Sequence, residues 1–187
     1  MIGYAFTGSY CTLSRSLSEL ERLVDSGYDV QPIMSENVYS QNTRFFSADE
    51  LQKRVSSLCP RPIIHTVVGA EPLGPKNPLE ALIIAPCTGN TLAKLASGIT
   101  DTAVTMAAKA HLRSDRPLLI ALASNDALSQ NLSSIAHLLT RKSVYFLPLV
   151  QDDPISKPHS LVADFSRLYE GFVAMREGRQ LRPLFSS

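Results

Sequence analysis

The segment from Ala81 to Thr91, ALIIAPCTGNT, constrains the fold more than any other part of this chain. Its unbroken apolar start, Ala81 to Ala85, predicts a strand that is buried in a parallel sheet. We expect the strand to end at Pro86, which cannot donate to a sheet ladder. Small polar residues follow, and then Leu92 and Leu95 fall at helical spacing. The segment therefore predicts a strand, a turn rich in hydroxyl and amide groups, and a helix that begins at this turn.

A turn of this kind can have either of two roles. Free backbone N–H groups and the positive end of the helix make it a good seat for a phosphate or an electron-rich ring. It can also be an ordinary strand-to-helix loop in which Thr88 caps the helix. Spacing alone leaves both interpretations open.

Strands and helices alternate along the chain, and no internal repeat is present. This alternation predicts an α/β fold, a doubly wound, flavodoxin/Rossmann-like parallel sheet with helices on both faces. We expect this domain to span residues 1–150, with its last strand at 144–149. Residues 151–187 are expected to hold a proline-containing linker and a C-terminal helix over 160–176, which packs on the same domain or on a neighbouring subunit.

In such sheets, ligands bind at the carboxyl ends of the strands, close to the point where strand order reverses. The loops expected at this edge are Thr7–Thr12, Ser35–Tyr39, Pro86–Thr91 and Ala123–Asp126. The first of them has a single glycine, so it lacks the Gly-x-Gly-x-x-Gly pattern of dinucleotide sites and the Gly-Lys-Ser/Thr of a P-loop. Its hydroxyl groups suit a mononucleotide phosphate better than a pyrophosphate.

Charge and composition exclude several classes of function. The net charge is +1 and only 19% of the 187 residues are charged, so neither nucleic acid nor a membrane surface is an expected partner. No apolar run approaches the ~20 residues that span a bilayer, and Met1–Phe6 predicts a first strand instead of a signal peptide. The widely spaced Cys11, Cys59 and Cys87 indicate no metal site and no disulfide framework, which favours a reducing cytoplasm.

Four strings in one order carry a family resemblance: Thr7–Ser9, Ser35 after the second strand, Ala85–Thr91, and Gly98–Asp101. Together they resemble the flavoprotein superfamily of homo-oligomeric flavin-containing cysteine decarboxylases and flavin prenyltransferases. Its central motif reads approximately Pro-Ala-Ser-Ala-Asn-Thr, where this chain has Pro-Cys-Thr-Gly-Asn-Thr. The resemblance covers residues 1–150, nearly the whole predicted domain.

This resemblance implies FMN bound in a flavodoxin-like fold. The phosphate would lie on Ser9, Ser35 and Thr88 and on neighbouring backbone N–H groups. Asn90 and Thr91 would lie beside the flavin ring or its ribityl chain, and the loop after the fourth strand would close the other side of the ring. The cofactor-binding residues implied in this way are Gly8, Ser9, Ser35, Pro86, Cys87, Thr88, Asn90, Thr91, Ser124 and Asn125.

The chain departs from the decarboxylases of this superfamily at two places. Their Pro-x-Met-Asn motif, which clamps a cysteinyl carboxylate, corresponds here to Ala123–Asp126, and only Asn125 is kept. Cysteine decarboxylation is therefore not expected. They also use a His before the central motif as a base, and His65 occupies a similar place. His65 is accordingly a candidate catalytic residue, although a lone His beside apolar neighbours is more often structural.

Longer strings resemble one branch of the superfamily, which is found in spore-forming bacteria: Gly3–Thr12, Ala85–Thr91 and Gly98–His111. The resemblance to this branch implies one subunit of an oxidoreductase that converts a dihydrodipicolinate-type intermediate to pyridine-2,6-dicarboxylate. A partner subunit would supply the NAD(P) site, because this chain lacks that fingerprint. This chain would hold FMN as a redox relay or only shape the site. The implied assembly is a homo-oligomer, a trimer or higher, in the cytoplasm of the mother cell.

Other functions and residue roles stay open. A stand-alone FMN-dependent decarboxylase or flavin prenyltransferase is one alternative, and a non-catalytic binding subunit without flavin is another. Cys11 and Cys87 fall at predicted helix N-termini, where the pKa of a thiol tends to fall, or they are small buried residues in tight loops. Lys109 and His111 could bind the carboxylates of a dianionic substrate, or they could lie on a solvated helix face.

Overall fold

The computed structural model describes residues 1–74, 76 and 78–186. The strands are β1 (Ile2–Phe6), β2 (Val30–Met34), β3 (Leu82–Thr88), β4 (Leu118–Ser124), β5 (Val144–Phe146), β6 (Leu149–Val150), β7 (Leu161–Ala163) and β8 (Phe185–Ser186). The α-helices are α1 (Leu13–Asp25), α2 (Glu36–Ser40), α3 (Ala48–Leu58), α4 (Val67–Ala70), α5 (Gly89–Ser97), α6 (Ala103–Leu112), α7 (Leu132–Leu139) and α8 (Leu168–Arg176). Short 3-10 turns lie at Tyr10–Thr12, Glu71–Leu73 and Phe165–Arg167.

The centre of the sheet has the strand order β2-β1-β3-β4, and β5 extends it along β4. All of these pairings are parallel. This order is the flavodoxin-like arrangement, in which the direction of winding reverses between β1 and β3. The structure thus confirms the doubly wound α/β class, and the reversal leaves a crevice at the carboxyl ends of β1 and β3.

Burial explains why the central strands are continuous apolar runs. Every residue of β1, β2 and β4 is buried, as expected for strands covered on both faces. The helices form two groups that cover the sheet: α1 contacts α3 and α8, whereas α5 contacts α6 and α7. Within the described residues, no helix combines the length and the apolar character needed to cross a membrane.

The C-terminal part differs from the sequence-based expectation. The expected helix over 160–176 starts only at Leu168, because Leu161 and Val162 pair antiparallel with Ser124 and Ala123 at the open end of β4. Backbone pairing to an exposed strand edge outweighs the helical spacing of apolar residues, since helix propensity is a weak preference. The sheet is therefore mixed at this edge instead of wholly parallel.

The expected last strand, 144–149, is also divided. β5 ends at Phe146, and Pro148, which has no N–H to donate, separates it from β6. β5 lies along the first half of β4, whereas β6 pairs with β7 and with β8. The chain beyond Pro148 thus continues the sheet past the carboxyl half of β4.

One buried hydroxyl joins the first helix to the two strands that border the crevice. The Tyr4 hydroxyl donates to the Ser16 carbonyl over 2.8 Å, and the Ser16 hydroxyl donates to the Ala85 carbonyl. Both side chains are fully buried. Because Tyr4 lies on β1 and Ala85 on β3, Ser16 fixes α1 against both strands.

We predict that Ser16→Ala lowers the free energy of unfolding by about 1–3 kcal/mol, because it leaves the buried Ala85 carbonyl without its side-chain donor, whereas the bond from Tyr4 to the Ser16 backbone carbonyl stays. Chemical denaturation followed by circular dichroism measures this loss. Ser18→Ala is the matched control, since the exposed Ser18 hydroxyl bonds only within its own helix, to the Ser14 carbonyl. Equal effects of the two substitutions would contradict the assigned role of Ser16.

Candidate functional site

Thr7 joins the carboxyl ends of β1 and β3 at the point where strand order reverses. Its N–H and its hydroxyl both donate to the Pro86 carbonyl, over 3.2 and 2.8 Å. Its Oγ1 in turn accepts the Thr88 N–H at 2.9 Å. The Thr7 side chain is only 1% exposed. The sequence predicted no separate role for this residue, although a hydroxyl directly after a buried strand was the signal available.

The turn after β3 caps the helix that follows it and leaves free backbone donors at the start of that helix. Thr88 caps α5, because its Oγ1 accepts the Thr91 N–H at 3.2 Å and donates to Thr91 Oγ1 at 3.0 Å. By helix geometry, the N–H groups of Gly89 and Asn90 have no carbonyl one turn earlier to bond with. The nine-residue helix α5 therefore points its positive end, with free donors, at the crevice.

A first cavity of about 520 Å³ opens at this end of the sheet. Its walls are the loop after β1 (Gly8–Thr12), the start of α5 (Thr88–Asn90) and the end of β4 with the residues after it (Ala123–Asp126). Arg44 and Phe45, and four residues of the C-terminal part, complete the lining. The volume lies within the range of small-molecule and cofactor sites, roughly 300–1,000 Å³.

A second cavity of about 450 Å³ adjoins the first. It holds Ser35 and Thr91 together with the ion pair of Lys94 and Asp101, in which the shortest separation of nitrogen and oxygen is 2.8 Å. The wall between the two cavities consists of residues that line both of them: Gly8, Tyr10, Thr88 and Asn90.

The structure brings most of the predicted cofactor-binding residues to these two cavities. Gly8, Ser9, Thr88, Asn90, Ser124 and Asn125 line the first, and Ser35 and Thr91 line the second. Ser9 and Ser35, expected to share one phosphate, thus lie on neighbouring walls with Gly8 between them. Pro86 and Cys87 belong to the buried part of β3 and to neither cavity lining.

The two cysteines near the site have opposite environments. Cys87 is fully buried, and burial raises the pKa of its thiol, so the second interpretation, a small buried residue, holds for it. Cys11 is exposed, lies in the 3-10 turn before α1 and lines the first cavity. Its sulfur is 4.0 Å from the Ser9 hydroxyl oxygen.

Neither candidate histidine faces these cavities. The His65 ring stacks on the Tyr39 ring, with 3.7 Å between centroids and 3° between planes. His111 is 1% exposed, and its Nε2 lies 2.9 Å from the Pro117 carbonyl oxygen. Burial lowers the pKa of His111, which favours the neutral imidazole, and the buried ring lies neither on a solvated helix face nor in the lining of either cavity.

Asp126 organises the far wall of the first cavity. Its carboxylate accepts a hydrogen bond from the Ser124 hydroxyl and two from Asn131 Nδ2, at 3.0 and 2.9 Å. The Ser124 hydrogen bond holds the pKa of Asp126 below its usual value. No role was predicted for Asp126 and Asn131 from the sequence, because the five-residue separation that joins them matches no helix or strand period. In the described part of the chain, no group of three His, Cys, Asp or Glu side chains could hold a metal ion.

Gly89 allows α5 to begin against this network. A Cβ atom at position 89 would meet the Ser124 hydroxyl and would lie 2.7 Å from the nearer Asp126 oxygen and 2.8 Å from Asn131 Nδ2. These distances are too short for carbon, so the network would have to move. The absence of a side chain at position 89 is therefore matched to the polar cluster across from it.

We predict that Gly89→Ala destabilises the protein by about 1–3 kcal/mol through overpacking, even though alanine is the better helix former. Thermal and chemical denaturation measure the change. Gly8→Ala is the control, because the Cβ added there would meet the Tyr10 ring at an ordinary 3.5 Å. An increase in stability on Gly89→Ala would contradict the prediction, because it would mean that the Ser124, Asp126 and Asn131 side chains can move aside at little cost.

The Asp126 network also predicts an acid-dependent stability. Because the folded-state pKa of Asp126 lies below its unfolded value, the ionised group stabilises the fold above about pH 4, and this contribution is lost as the pH falls through the folded-state value. Asp126→Asn should therefore flatten the loss of stability below pH 4. Ser124→Ala, which removes the first donor, should bring the folded-state pKa closer to the unfolded value and so make that loss smaller. Denaturation midpoints measured across this range would contradict the assignment if neither variant changed the profile.

Comparison with known proteins places the chain among flavoproteins. It is 42% identical over 183 residues to the B subunit of dipicolinate synthase from Bacillus subtilis, covering 98% of this chain and 92% of that protein. The crystal structure of the corresponding B subunit from Bacillus halodurans superposes with a TM-score of 0.92 at 39% identity, covering 100% of this chain and 95% of the other.

More distant structures share the fold. A dodecameric FMN-dependent UbiX-like decarboxylase from Escherichia coli O157:H7 superposes with a TM-score of 0.62 at 20% identity, covering 79% of each chain. The sequence profile of the Flavoprotein family matches residues 1–166, most of the chain. The protein therefore belongs to the Flavoprotein family.

Proposed function

We propose that this chain acts as the B subunit of a dipicolinate synthase and takes part in oxidising a dihydrodipicolinate-type intermediate to dipicolinate during sporulation. The observation that carries the proposal is the crevice between β1 and β3, where hydroxyl groups and the first-turn amides of α5 face a cavity of about 520 Å³. The relative at 42% identity supports the choice of reaction. The reaction removes a hydride and a proton and forms an aromatic ring.

The donors in the crevice fit an FMN phosphate. They are hydroxyl groups and the N–H groups of a helix N-terminus, which favour an anion without requiring a lysine or arginine. The Thr12 hydroxyl donates to the Ser9 carbonyl over 2.8 Å and also lies 3.1 Å from Ser9 Oγ, so the Ser9 hydroxyl is held at the cavity wall, where it can donate to a ligand. Thr91 Oγ1 accepts from Thr88 and keeps its proton. When bound, FMN supplies a ring that accepts a hydride.

The chain's own residues would position the substrate beside that ring. Asn90 lies on the wall between the cavities, where it can contact a ring that reaches from one to the other. Ser124 is held by Asp126, and the exposed Asn125 beside it offers an amide to the same cavity. We assign no proton-transfer role to His65, because its ring is stacked on Tyr39.

A partner completes the proposed enzyme. The loop after β1 has one glycine and no dinucleotide fingerprint, so we propose that the A subunit of dipicolinate synthase supplies NAD(P) and the final hydride acceptor. The designation of the relatives as B subunits supports a partner of this kind. We also propose a homo-oligomer in the cytoplasm of the mother cell. The dodecameric state of the Escherichia coli decarboxylase supports assembly.

We propose that the chain divides into a flavoprotein-like body of residues 1–150 and a C-terminal part of residues 151–187. The C-terminal part contributes Asp152, Lys157, Ser160 and Val162 to the first cavity. α8 packs on β4 and α1 of its own chain. These contacts support the arrangement in which the helix packs on its own domain.

An absorbance spectrum and an FMN titration test the cofactor. We predict that the wild-type chain binds FMN and that Asn90→Asp weakens binding at least about tenfold, because it adds a negative charge at the helix N-terminus. Gln130→Ala, an exposed change away from both cavities, is the control. Absence of FMN binding by the wild-type chain at millimolar concentration would overturn the flavin site.

Activity assays separate the proposed reaction from its alternatives. We predict that the chain forms dipicolinate only together with the A subunit. Turnover of a peptidyl-cysteine, or of dimethylallyl phosphate with FMN, by this chain alone would support a stand-alone flavin enzyme instead. Full activity of the two-subunit enzyme without flavin would support a role as a non-catalytic binding protein.

A further inference from the structure

The segment between α2 and α3 forms a closed turn at the mouth of the first cavity. Thr43 Oγ1 accepts the N–H groups of Phe45 and Phe46 at 3.2 Å each, and the Thr43 N–H donates to the Phe46 carbonyl over 2.9 Å. Asn42 Oδ1 accepts the Ala48 N–H at 2.9 Å and ties the turn to α3. These bonds hold Arg44 and Phe45 in place, and both side chains line the cavity.

Among the charged side chains of the described residues that line this cavity, one cation has no ion-pair partner. Lys157 pairs with Asp152, with 3.0 Å between Nζ and Oδ2, and the Asp126 carboxylate is satisfied by Ser124 and Asn131. Among the described residues, Arg44 makes no ion pair and no side-chain hydrogen bond. Its guanidinium carbon lies 4.8 Å from the centroid of the Phe45 ring.

Phe45 presents an apolar ring beside this cation. The residue is 45% exposed, although it lines a cavity and belongs to a hydrogen-bonded turn. A flat ligand covering the Phe45 ring would remove apolar surface from water and would lower the polarity around the guanidinium. A guanidinium presents a planar pair of donors that matches a carboxylate. The combination suits a planar ring that bears a carboxylate.

We propose that Arg44 and Phe45 recognise the pyridine-2,6-dicarboxylate product and its dihydro precursor in this site, with the Arg44 guanidinium on one carboxylate and the Phe45 ring against the ring of the ligand. This inference rests on the proposed function, since it names the residues that would hold the substrate and the product of that reaction. It adds a specificity element from the α2–α3 turn, which lies outside the four loops at the carboxyl ends of the central strands. An FMN phosphate offers the same charge, so the test distinguishes the two anions.

Isothermal titration with dipicolinate itself tests the proposal on the wild-type chain and on Arg44→Gln, Arg44→Lys and Phe45→Ala. Arg54→Gln is the matched control, because Arg54 is an exposed arginine on α3 that lines neither cavity. Two further ligands separate the contributions of charge and ring to the binding affinity. Pyridine-2,6-dicarboxamide has the shape of dipicolinate without its charge, and glutarate has two carboxylates without the ring. FMN is titrated into every variant in parallel.

We expect Arg44→Gln to weaken dipicolinate binding at least about tenfold and to abolish the preference for dipicolinate over the diamide. Arg44→Lys should recover only part of the loss, because a lysine lacks the planar pair of donors. Phe45→Ala should weaken dipicolinate binding but leave glutarate binding unchanged. Arg54→Gln should match the wild type, and FMN affinity should be the same in all variants.

The opposite results overturn the proposal in identifiable ways. Equal dipicolinate affinity in Arg44→Gln and Arg54→Gln, or no dipicolinate binding by the wild-type chain, would reject Arg44 as the carboxylate ligand. If Arg44→Gln lost FMN binding but kept its dipicolinate affinity, the Arg44 guanidinium would be a ligand of the FMN phosphate instead. The FMN titration of the wild-type chain decides the flavin part of the proposed function separately, so failure of one does not imply failure of the other.

Discussion

The Thr7 hydroxyl holds together the two strands between which this doubly wound sheet reverses. It donates to the Pro86 carbonyl and accepts the Thr88 N–H, so the hydroxyl and this N–H satisfy one another between the two strands. This arrangement sets the direction in which α5 starts and brings its free amides to the crevice. The two cavities and their dividing wall depend on that direction.

The central fold could be predicted because its signals are local. Each signal lies within one short segment: the apolar run Ala81–Ala85, the proline after it, or the helical spacing beyond Thr88. The alternation of such segments predicts a doubly wound sheet, and in such sheets ligands bind at the carboxyl ends of the strands. From the sequence alone, Ser9, Asn90 and Asn125 were predicted to lie at the carboxyl edge of the sheet, and in the structure they line the first cavity there. Their assignment to a flavin stays a prediction.

The remaining features depend on contacts between distant parts of the chain. β7 forms because Leu161 and Val162 meet the open end of β4, and no local pattern in 160–176 indicates that partner. The burial of Cys87 and the stacking of His65 on Tyr39 are likewise set by neighbours far along the chain. A role for Arg44 could not be predicted, because an arginine in a polar stretch carries no sequence signal. Its position in the lining of the first cavity is what indicates a role.

The break at Pro148 has a consequence for how ligand and chain end influence each other. Residues beyond it continue the sheet through β6, β7 and β8, and the same stretch supplies Asp152, Lys157 and Ser160 to the cavity that the first loop opens. A molecule bound there would contact both the loop after β1 and the residues between β6 and β7. Binding would therefore stabilise the docking of the last strands on the sheet, and the protection of this C-terminal segment against local unfolding would report whether the cavity is filled.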